Sequence, residues 1–525
     1  MFKDEKIWFG MAGGEKLFIN TKMANRHGLI AGATGTGKTT TLRVLAESFS
    51  DCGVPVFLAD MKGDLAAMSK PGTPDGFVGA RVSEYGLEAE GFAFRGFPTA
   101  YWDVYAEKGM PLRTTVSEMG PLLLSRILGL NATQEAVLTV TFKAADDEGL
   151  LLIDTKDLKA MLNFAGENAD VFSMKYGNVT KQSLAAIIRA IVALEAAGGE
   201  QFFGEPALNI ADWIRTDYNG KGVINVLDCQ KLMHNPTMYG TFMLWMISEL
   251  YETLPEVGDL PRPRMVFFFD EAHLLFDNAS RELLEKLEQV VKLIRSKGVG
   301  IYFITQSPRD IPDGILAQLG NKIQHGLRAY TPTEQKAVRA AADSFRTNPA
   351  FDTYDTLINL GIGEALVSVL DESGVPTIAE KGVILPPQCS METLSDAERE
   401  AAINANELYL KYRDFFDRDS AYEFLQRKGI ADAEEAERLK AEQEEAKAAE
   451  KQALAEQKAA EKQAASAGRQ KSRVVKNVAS TAGSTIGREL GNALGKSVGG
   501  SFGKRLGGNL GSSLGRGIFG SLFGK

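Results

Sequence analysis

The chain has 525 residues, 44% hydrophobic and 24% charged, which suits a large buried core and two to four domains at roughly 100–200 residues each, or one large domain with insertions; a wholly disordered chain and a small stapled scaffold are excluded. Three distant cysteines, Cys52, Cys229 and Cys389, and four histidines rule out a disulfide framework and a four-cysteine zinc site and point to a reducing cytoplasm. The net charge of −9 divides unevenly: residues 469–525 hold ten Lys/Arg against Glu489 alone, which is +9, and leave −18 on residues 1–468.

The N-terminus, MFKDEKIWFG, carries acids where a secretory signal needs a basic and then an apolar region. No run of about 18 apolar residues marks a membrane span. The first strand is predicted at Gly28–Ala31. It runs into Gly32-Ala33-Thr34-Gly35-Thr36-Gly37-Lys38-Thr39, which fits G-x-x-x-x-G-K-[ST], and a helical pattern follows over Thr40–Phe49. The spacing has a chemical reason. Glycines let backbone N–H groups turn inward around phosphate oxygens, and the helix N-terminus adds positive potential. The loop from Gly32 to Thr40 is therefore the candidate nucleotide cradle, with Lys38 reaching the β- and γ-phosphates of ATP and Thr39 on Mg²⁺.

A second strand is predicted at Val54–Ala59. About 160 residues of mainly helical pattern follow, including Met119–Leu128, Gln134–Ala145 and Thr180–Ala197, and suggest a helical insertion over about 65–220. Further strands are predicted at Gly222–Leu227 and Met265–Phe269. The latter is wholly apolar and ends in Asp270-Glu271, the form of a Walker B element: Asp270 would hold Mg²⁺ through water and Glu271 would deprotonate the attacking water. The alternative is an acidic pair capping the next helix. Asp270-Glu271-Ala272-His273 also spells DEAH, but the second motor domain and the Ser-Ala-Thr of DEAH-box helicases are missing from the sequence, as is an N-K-x-D run for guanine. Next comes a helix with an apolar stripe of Leu283, Leu287, Val290, Val291 and Ile294, ending at Arg295. Arg295 is a candidate arginine finger for a neighbouring subunit, or simply a basic residue favoured by the helix C-terminus. Arg328 is a weaker candidate. The strand Gly300–Thr305 ends at Gln306, which either hydrogen-bonds the attacking water or the γ-phosphate, or satisfies loop backbone. Strands at Lys322–Ala329 and Glu364–Leu370 complete a sheet whose short, continuously apolar strands suit a parallel arrangement buried on both faces.

From about 395 the composition turns to Ala, Glu, Lys and Gln, and Ala433–Ala465 is almost devoid of large apolar residues, as in a solvated helix or linker. Glycine then recurs at every fourth position from Gly483 to Gly515, each from Gly487 on preceded by an apolar residue, with Arg488, Lys496, Lys504, Arg505 and Arg516 among them. Glycine at this spacing lets helices approach closely and the basic residues suit anionic lipid or nucleic acid, yet each glycine weakens a helix by about 1 kcal/mol. The tail reads either as disordered in free solution or as ordered on a partner or membrane.

Taken together, His27-Gly-Leu-Ile-Ala-Gly-Ala-Thr-Gly-Thr-Gly-Lys-Thr, Leu58-Ala-Asp-Met-Lys-Gly-Asp64, Phe268-Phe-Asp-Glu271, Arg295-Ser-Lys-Gly-Val-Gly and Ile304-Thr-Gln306 resemble the HerA/FtsK group of P-loop ATPases, and within it the bacterial YjgR-like family of HerA-like helicase C-terminal domain proteins. The resemblance covers roughly 1–385. It implies an α/β, RecA-like P-loop NTPase domain over 1–385, to which the composition adds a charged helical spacer over 386–475 and a glycine-repeat basic tail over 476–525. It further implies a homo-hexameric ring, ATP hydrolysis with Mg²⁺ between subunits and, in relatives, DNA translocation. By carry-over, Lys38, Thr39, Asp270, Glu271 and Gln306 fall on catalytic motif positions, Arg295 less securely, and Asp60 and Asp64 fall on an acidic turn. The sequence departs from HerA in that the N-terminal barrel is absent or reduced to some 25 residues, and from FtsK in the helical insertion and in showing no evident membrane helices or winged helix. Two functions follow as expectations: a ring motor acting on DNA, or a membrane-peripheral or partner-binding ATPase assembly protein whose tail engages lipid or protein at the inner face of the membrane.

Overall fold

A computed structural model describes residues 1–276 and 281–468. They fall into two compact units, Met1–Tyr422 and the chain from Glu423. The first is organised by one sheet of 13 strands. In chain order these are β1 (Phe2–Lys3), β2 (Lys6–Ala12), β3 (Glu15–Asn20), β4 (Gly28–Ala31), β5 (Val56–Asp60), β6 (Thr99–Asp103), β7 (Met110–Pro111), β8 (Ile224–Asp228), β9 (Met265–Phe269), β10 (Val299–Thr305), β11 (Asn321–His325), β12 (Glu364–Ser368) and β13 (Glu380–Ile384). Across the sheet they run β1-β2-β13-β12-β11-β4-β10-β9-β5-β8-β6-β7, with β3 on β2. Every pair from β11 to β7 is parallel, and the pairs from β11 towards β1 and β3 are antiparallel.

The inner strands β4, β5, β8, β9 and β10 are buried at every position, because helices cover both faces. Alternation along the strands divides the side chains. Val56, Leu58, Phe268 and Tyr302 face one layer with Leu45 and Phe49 of the helix Lys38–Asp51. Phe57, Phe267 and Phe269 turn the other way, where the Phe57 ring stacks on Trp213 at 4.9 Å and on Phe267 at 5.2 Å. At roughly 25 cal/mol per Å² of apolar area, such rings dominate the stability of the sheet.

Three elements depart from the sequence pattern. The strand expected to reach Ala329 stops at His325, because the Gly326 carbonyl leaves the ladder and accepts Ala33 N–H at 2.9 Å. The segment 65–220 is not helical throughout: β6 pairs residue for residue with β8, and the long helices lie between Val116 and Ala196. The N-terminal strands join the main sheet through β2 and β13.

The first unit also runs past 385. The Glu47 carboxylate, in the helix after the phosphate loop, accepts the N–H groups of Gln388 at 2.9 Å and Cys389 at 3.2 Å. Arg399 forms a buried ion pair with Asp228 at 2.9 Å. Arg113 donates to the Tyr412 carbonyl at 2.8 Å. The helix Ala421–Gly468 spans 48 residues, about 70 Å, and from 433 to 460 every residue is exposed. The glycine-repeat tail expected at 476–525 lies outside the described residues. Among the described residues no helix is long and apolar enough to cross a membrane.

Candidate nucleotide site

The phosphate loop leaves β4 and enters the helix Lys38–Asp51. Gly37 sits at φ 117°, in the left-handed region, and caps that helix. A side chain there would be strained, and its Cβ would lie 3.1 Å from the Cα of Gly363. The loop is held from three sides: Gly32 N–H donates to the Thr305 carbonyl at 3.3 Å, Ala33 N–H to Gly326, and Gly363 N–H to the Thr36 carbonyl at 2.9 Å.

Because β10 is inserted between β4 and β9, the loop and the Asp270-Glu271 corner stand one strand apart at the same edge of the sheet. They share a cavity of about 620 Å³ lined by Thr34, Gly35, Gly37, Lys38, Thr39, Thr40, Lys62, Asp270 and Glu271, together with Phe77, Arg81 and Ile362. Lys38 Nζ donates to the carbonyls of Gly32 at 2.6 Å and Ala33 at 3.1 Å. Burial pulls its pKa down, against the attraction of Asp270 and Glu271. The Asp270 carboxyl is pushed up to about 6 by burial and then by Glu271, with Lys62 and Lys38 opposing. It accepts Glu271 N–H at 2.9 Å, and Tyr239 Oη donates to its carbonyl at 2.7 Å.

Glu271 has φ 47°, sparsely populated for a residue with a Cβ. The next residue, Ala272, donates its N–H to the Ile304 carbonyl at 2.9 Å, which locks the corner against β10. The buried Oε2 of Glu271 accepts no hydrogen bond among the described residues, although His273 Nδ1 stands 3.4 Å away. A strained backbone and an unsatisfied carboxylate oxygen at one residue cost stability, and both are found where a group is held ready for chemistry.

Gln306 and Arg295 lie at opposite ends of β10. Gln306 follows its carboxyl end and is exposed. Its side chain lines an adjoining recess of about 250 Å³ with Ala33, Thr34 and Arg328, rather than the cavity of Lys38 and Glu271. Arg295 precedes the amino end, exposed, its carbonyl accepting Asn25 Nδ2 at 3.4 Å. Seven strand residues separate the two, about 20 Å, so Arg295 does not approach the phosphate loop of its own chain.

The acidic turn noted in the sequence gains a role in the fold, as do two histidines. Asp60 accepts the N–H groups of Gly63 at 2.8 Å and of Leu65 and Ala66 at 3.1 Å, so it shapes the turn from which Lys62 lines the cavity. Arg43 donates to the Asp64 carbonyl at 2.7 Å. His325, at the end of β11, is hydrogen-bonded through Nε2 to Thr41 Oγ1 at 2.8 Å and donates from Nδ1 to the Glu364 carbonyl at 2.9 Å. Burial, and then Lys38, hold its pKa near 4, so it is a neutral prop behind the loop. His27 links the start of β4 to the helix that ends before Arg295: its Nε2 meets the Val291 carbonyl at 2.8 Å and its Nδ1 accepts Ile301 N–H at 3.1 Å. His27 opens the first motif of the resemblance, but nothing in the sequence assigns either histidine its role, because their partners lie far along the chain.

The family described as Helicase HerA-like C-terminal matches residues 9–506. The chain belongs to that family. This HerA-like chain is 29% identical to a probable helicase of Methanocaldococcus jannaschii over 27% of its own length and 28% of the relative's. It is 22% identical to the DNA double-strand break repair helicase HerA of Sulfolobus acidocaldarius over 66% of its own length, and spans 63% of that relative. Its fold is similar to that of the plasmid coupling protein TrwB in complex with ADP and Mg²⁺, with a TM-score of 0.50, 16% identity and coverage of 76% of this chain and 92% of that one. The fold is thus the RecA-like P-loop α/β class, with a largely parallel sheet.

Proposed function

We propose that this HerA-like chain hydrolyses ATP with Mg²⁺ as a homo-hexameric ring motor acting on DNA. The observation that carries the hydrolytic part is the cavity in which Lys38 and the two adjacent carboxylates converge, with one carboxylate oxygen of Glu271 accepting no hydrogen bond among the described residues.

A divalent ion fits the donor set. Asp270 is a half-buried acid beside a second carboxylate, Thr39 offers a hydroxyl in the first helical turn, and the described residues hold no cluster of three or more His, Cys, Asp or Glu that would form a complete protein cage. That is the pattern of Mg²⁺, which leans on one or two protein ligands, phosphate oxygens and water. Thr39 and Asp270 would hold it, and when bound it neutralises charge on the phosphate oxygens. Lys38 would exchange its two loop carbonyls for the β- and γ-phosphates. Glu271 Oε2 would take the proton of a water as its oxygen attacks the γ-phosphorus and the bond to the β-phosphate oxygen breaks. Gln306 would orient that water after a side-chain rearrangement from its recess. Arg295 would act only across a subunit boundary, given its distance from its own loop.

DNA as substrate is supported by the helicase relatives, and Mg²⁺–nucleotide by the ligands of the TrwB complex. The test is ATP turnover by the purified full chain with and without double-stranded DNA, alongside native mass measurement. Mg²⁺-dependent turnover, a hexamer mass and stimulation by DNA are expected. Turnover indifferent to DNA, with binding to anionic vesicles that is lost on removing 476–525, would replace the motor with an assembly ATPase.

A further inference from the structure

The cavity has a second half that phosphate chemistry does not use. Besides Lys38 and the acids, its lining includes Phe77 from the helix Gly76–Glu84, Ile362 from the turn before β12, and Arg81. Phe77 is 45% exposed and Ile362 79% exposed, large apolar side chains standing open at the rim of a polar site. We propose that they are a nucleobase platform, which holds a purine by its faces and does not read its edge. The platform rests on the nucleotide reading of the site.

Its rigidity and its position are both built in. The Arg81 guanidinium lies 5.4 Å over the Phe77 ring and donates to the carbonyls of Ile384 at 2.9 Å and Ile362 at 3.2 Å. Gly363 sits beside it at φ 75°, a left-handed conformation that favours glycine, and a Cβ there would come within 2.6 Å of the guanidinium. The N–H of the same glycine donates to the Thr36 carbonyl of the phosphate loop. The apolar wall is therefore tied by one hydrogen bond to the loop that would carry the phosphates, in one continuous cavity. A nucleotide has this two-part chemistry: an anionic chain, and a flat base whose faces stack on apolar and aromatic groups.

The second part of the proposal follows from what the wall offers. Phe77 and Ile362 have no polar side-chain atoms, and each terminal nitrogen of Arg81 commits one N–H to a backbone carbonyl, which turns the guanidinium toward the backbone. A site that hydrogen-bonds a substrate edge rejects analogues strongly, whereas an apolar pocket discriminates weakly. Adenine and guanine are thus held alike.

Calorimetric titration of the full chain with ATP, GTP and inorganic tripolyphosphate, each with Mg²⁺, tests this. Wild type is expected to bind ATP and GTP within about tenfold of each other. Phe77→Ala should weaken both nucleotides by about fivefold or more, since base stacking carries that much affinity, and leave tripolyphosphate within about twofold. Phe77→Tyr should restore ATP binding, and Ile362→Ser should act like Phe77→Ala. An ATP–GTP preference above about tenfold, or a loss in both Phe77→Ala and Ile362→Ser below about fivefold, overturns the platform. Equal weakening of tripolyphosphate would show a collapsed loop and overturns it as well. Binding of tripolyphosphate but of neither nucleotide overturns the platform and leaves the phosphate site standing. Binding of none of the three overturns both.

Discussion

Asp270→Asn should make the nucleotide-free protein more stable at pH 8 while ending its Mg²⁺-dependent turnover. An Asp ionises near 3.8 in the unfolded chain, whereas the folded protein holds the proton up to about 6. Between those values the folded state binds more protons than the unfolded one, so this group's contribution to stability falls as the pH rises from about 4 to about 6, and stays at its lowest above that. Two pKa units correspond to about 3 kcal/mol at most, and partial solvent access lowers the figure to the order of 1–3 kcal/mol. The amide cannot ionise, yet it keeps an oxygen to accept Glu271 N–H. For a unit of this size about 1 kcal/mol moves the melting temperature by about 1 °C. Thermal unfolding at pH 8 without nucleotide should place Asp270→Asn about 1–3 °C above wild type. The gap should close near pH 4, where wild-type Asp270 is neutral as well. Mg²⁺ with ATP should raise wild type and raise the variant far less. A variant no more stable than wild type at pH 8, or a gap as large at pH 4 as at pH 8, would refute the claim that this carboxylate is ionised at a cost.

Three further outcomes follow. Glu271→Gln should bind ATP about as tightly as wild type but lose at least about 100-fold in turnover, because an amide takes no proton from water; Lys38→Ala should lose binding itself, and turnover within tenfold of wild type in Glu271→Gln removes it as the base. Mixing Arg295→Ala with Glu271→Gln subunits should recover part of the activity, since one kind of boundary then pairs an intact base with an intact arginine; mixed rings as inactive as either parent would place the finger elsewhere. Arg399→Met should cost about 3–5 kcal/mol in denaturant unfolding by removing the ion-pair partner of the buried Asp228, with most of the loss recovered in the Arg399→Met, Asp228→Leu double variant; a single-variant cost under about 1 kcal/mol would mean that 386–422 is not docked as described.

The phosphate loop was legible from residues alone, because its chemistry is contiguous: glycines, lysine and hydroxyl stand on one turn between a strand and a helix, and local geometry suffices. The same holds for β9 and its terminal acids, and for the burial of the inner strands, whose unbroken apolar runs admit no solvent face. What periodicity does not carry is lateral order. That β10 lies between β4 and β9, and so sets Lys38 and Glu271 around one cavity, is a property of strand pairing. Gln306 and Arg295 look close in the sequence, yet an extended strand puts them about 20 Å apart at opposite edges of the sheet. β6 was hidden among helices because a short strand near the border of a sheet takes its stability from its neighbour β8 rather than from its own pattern. Phe77, Arg81, His325 and Ile362 are ordinary residues in the chain. They become parts of a site only because β11 and β12 fold back beside β4 and bring residues nearly 300 positions apart into contact, which is tertiary work that no local propensity encodes.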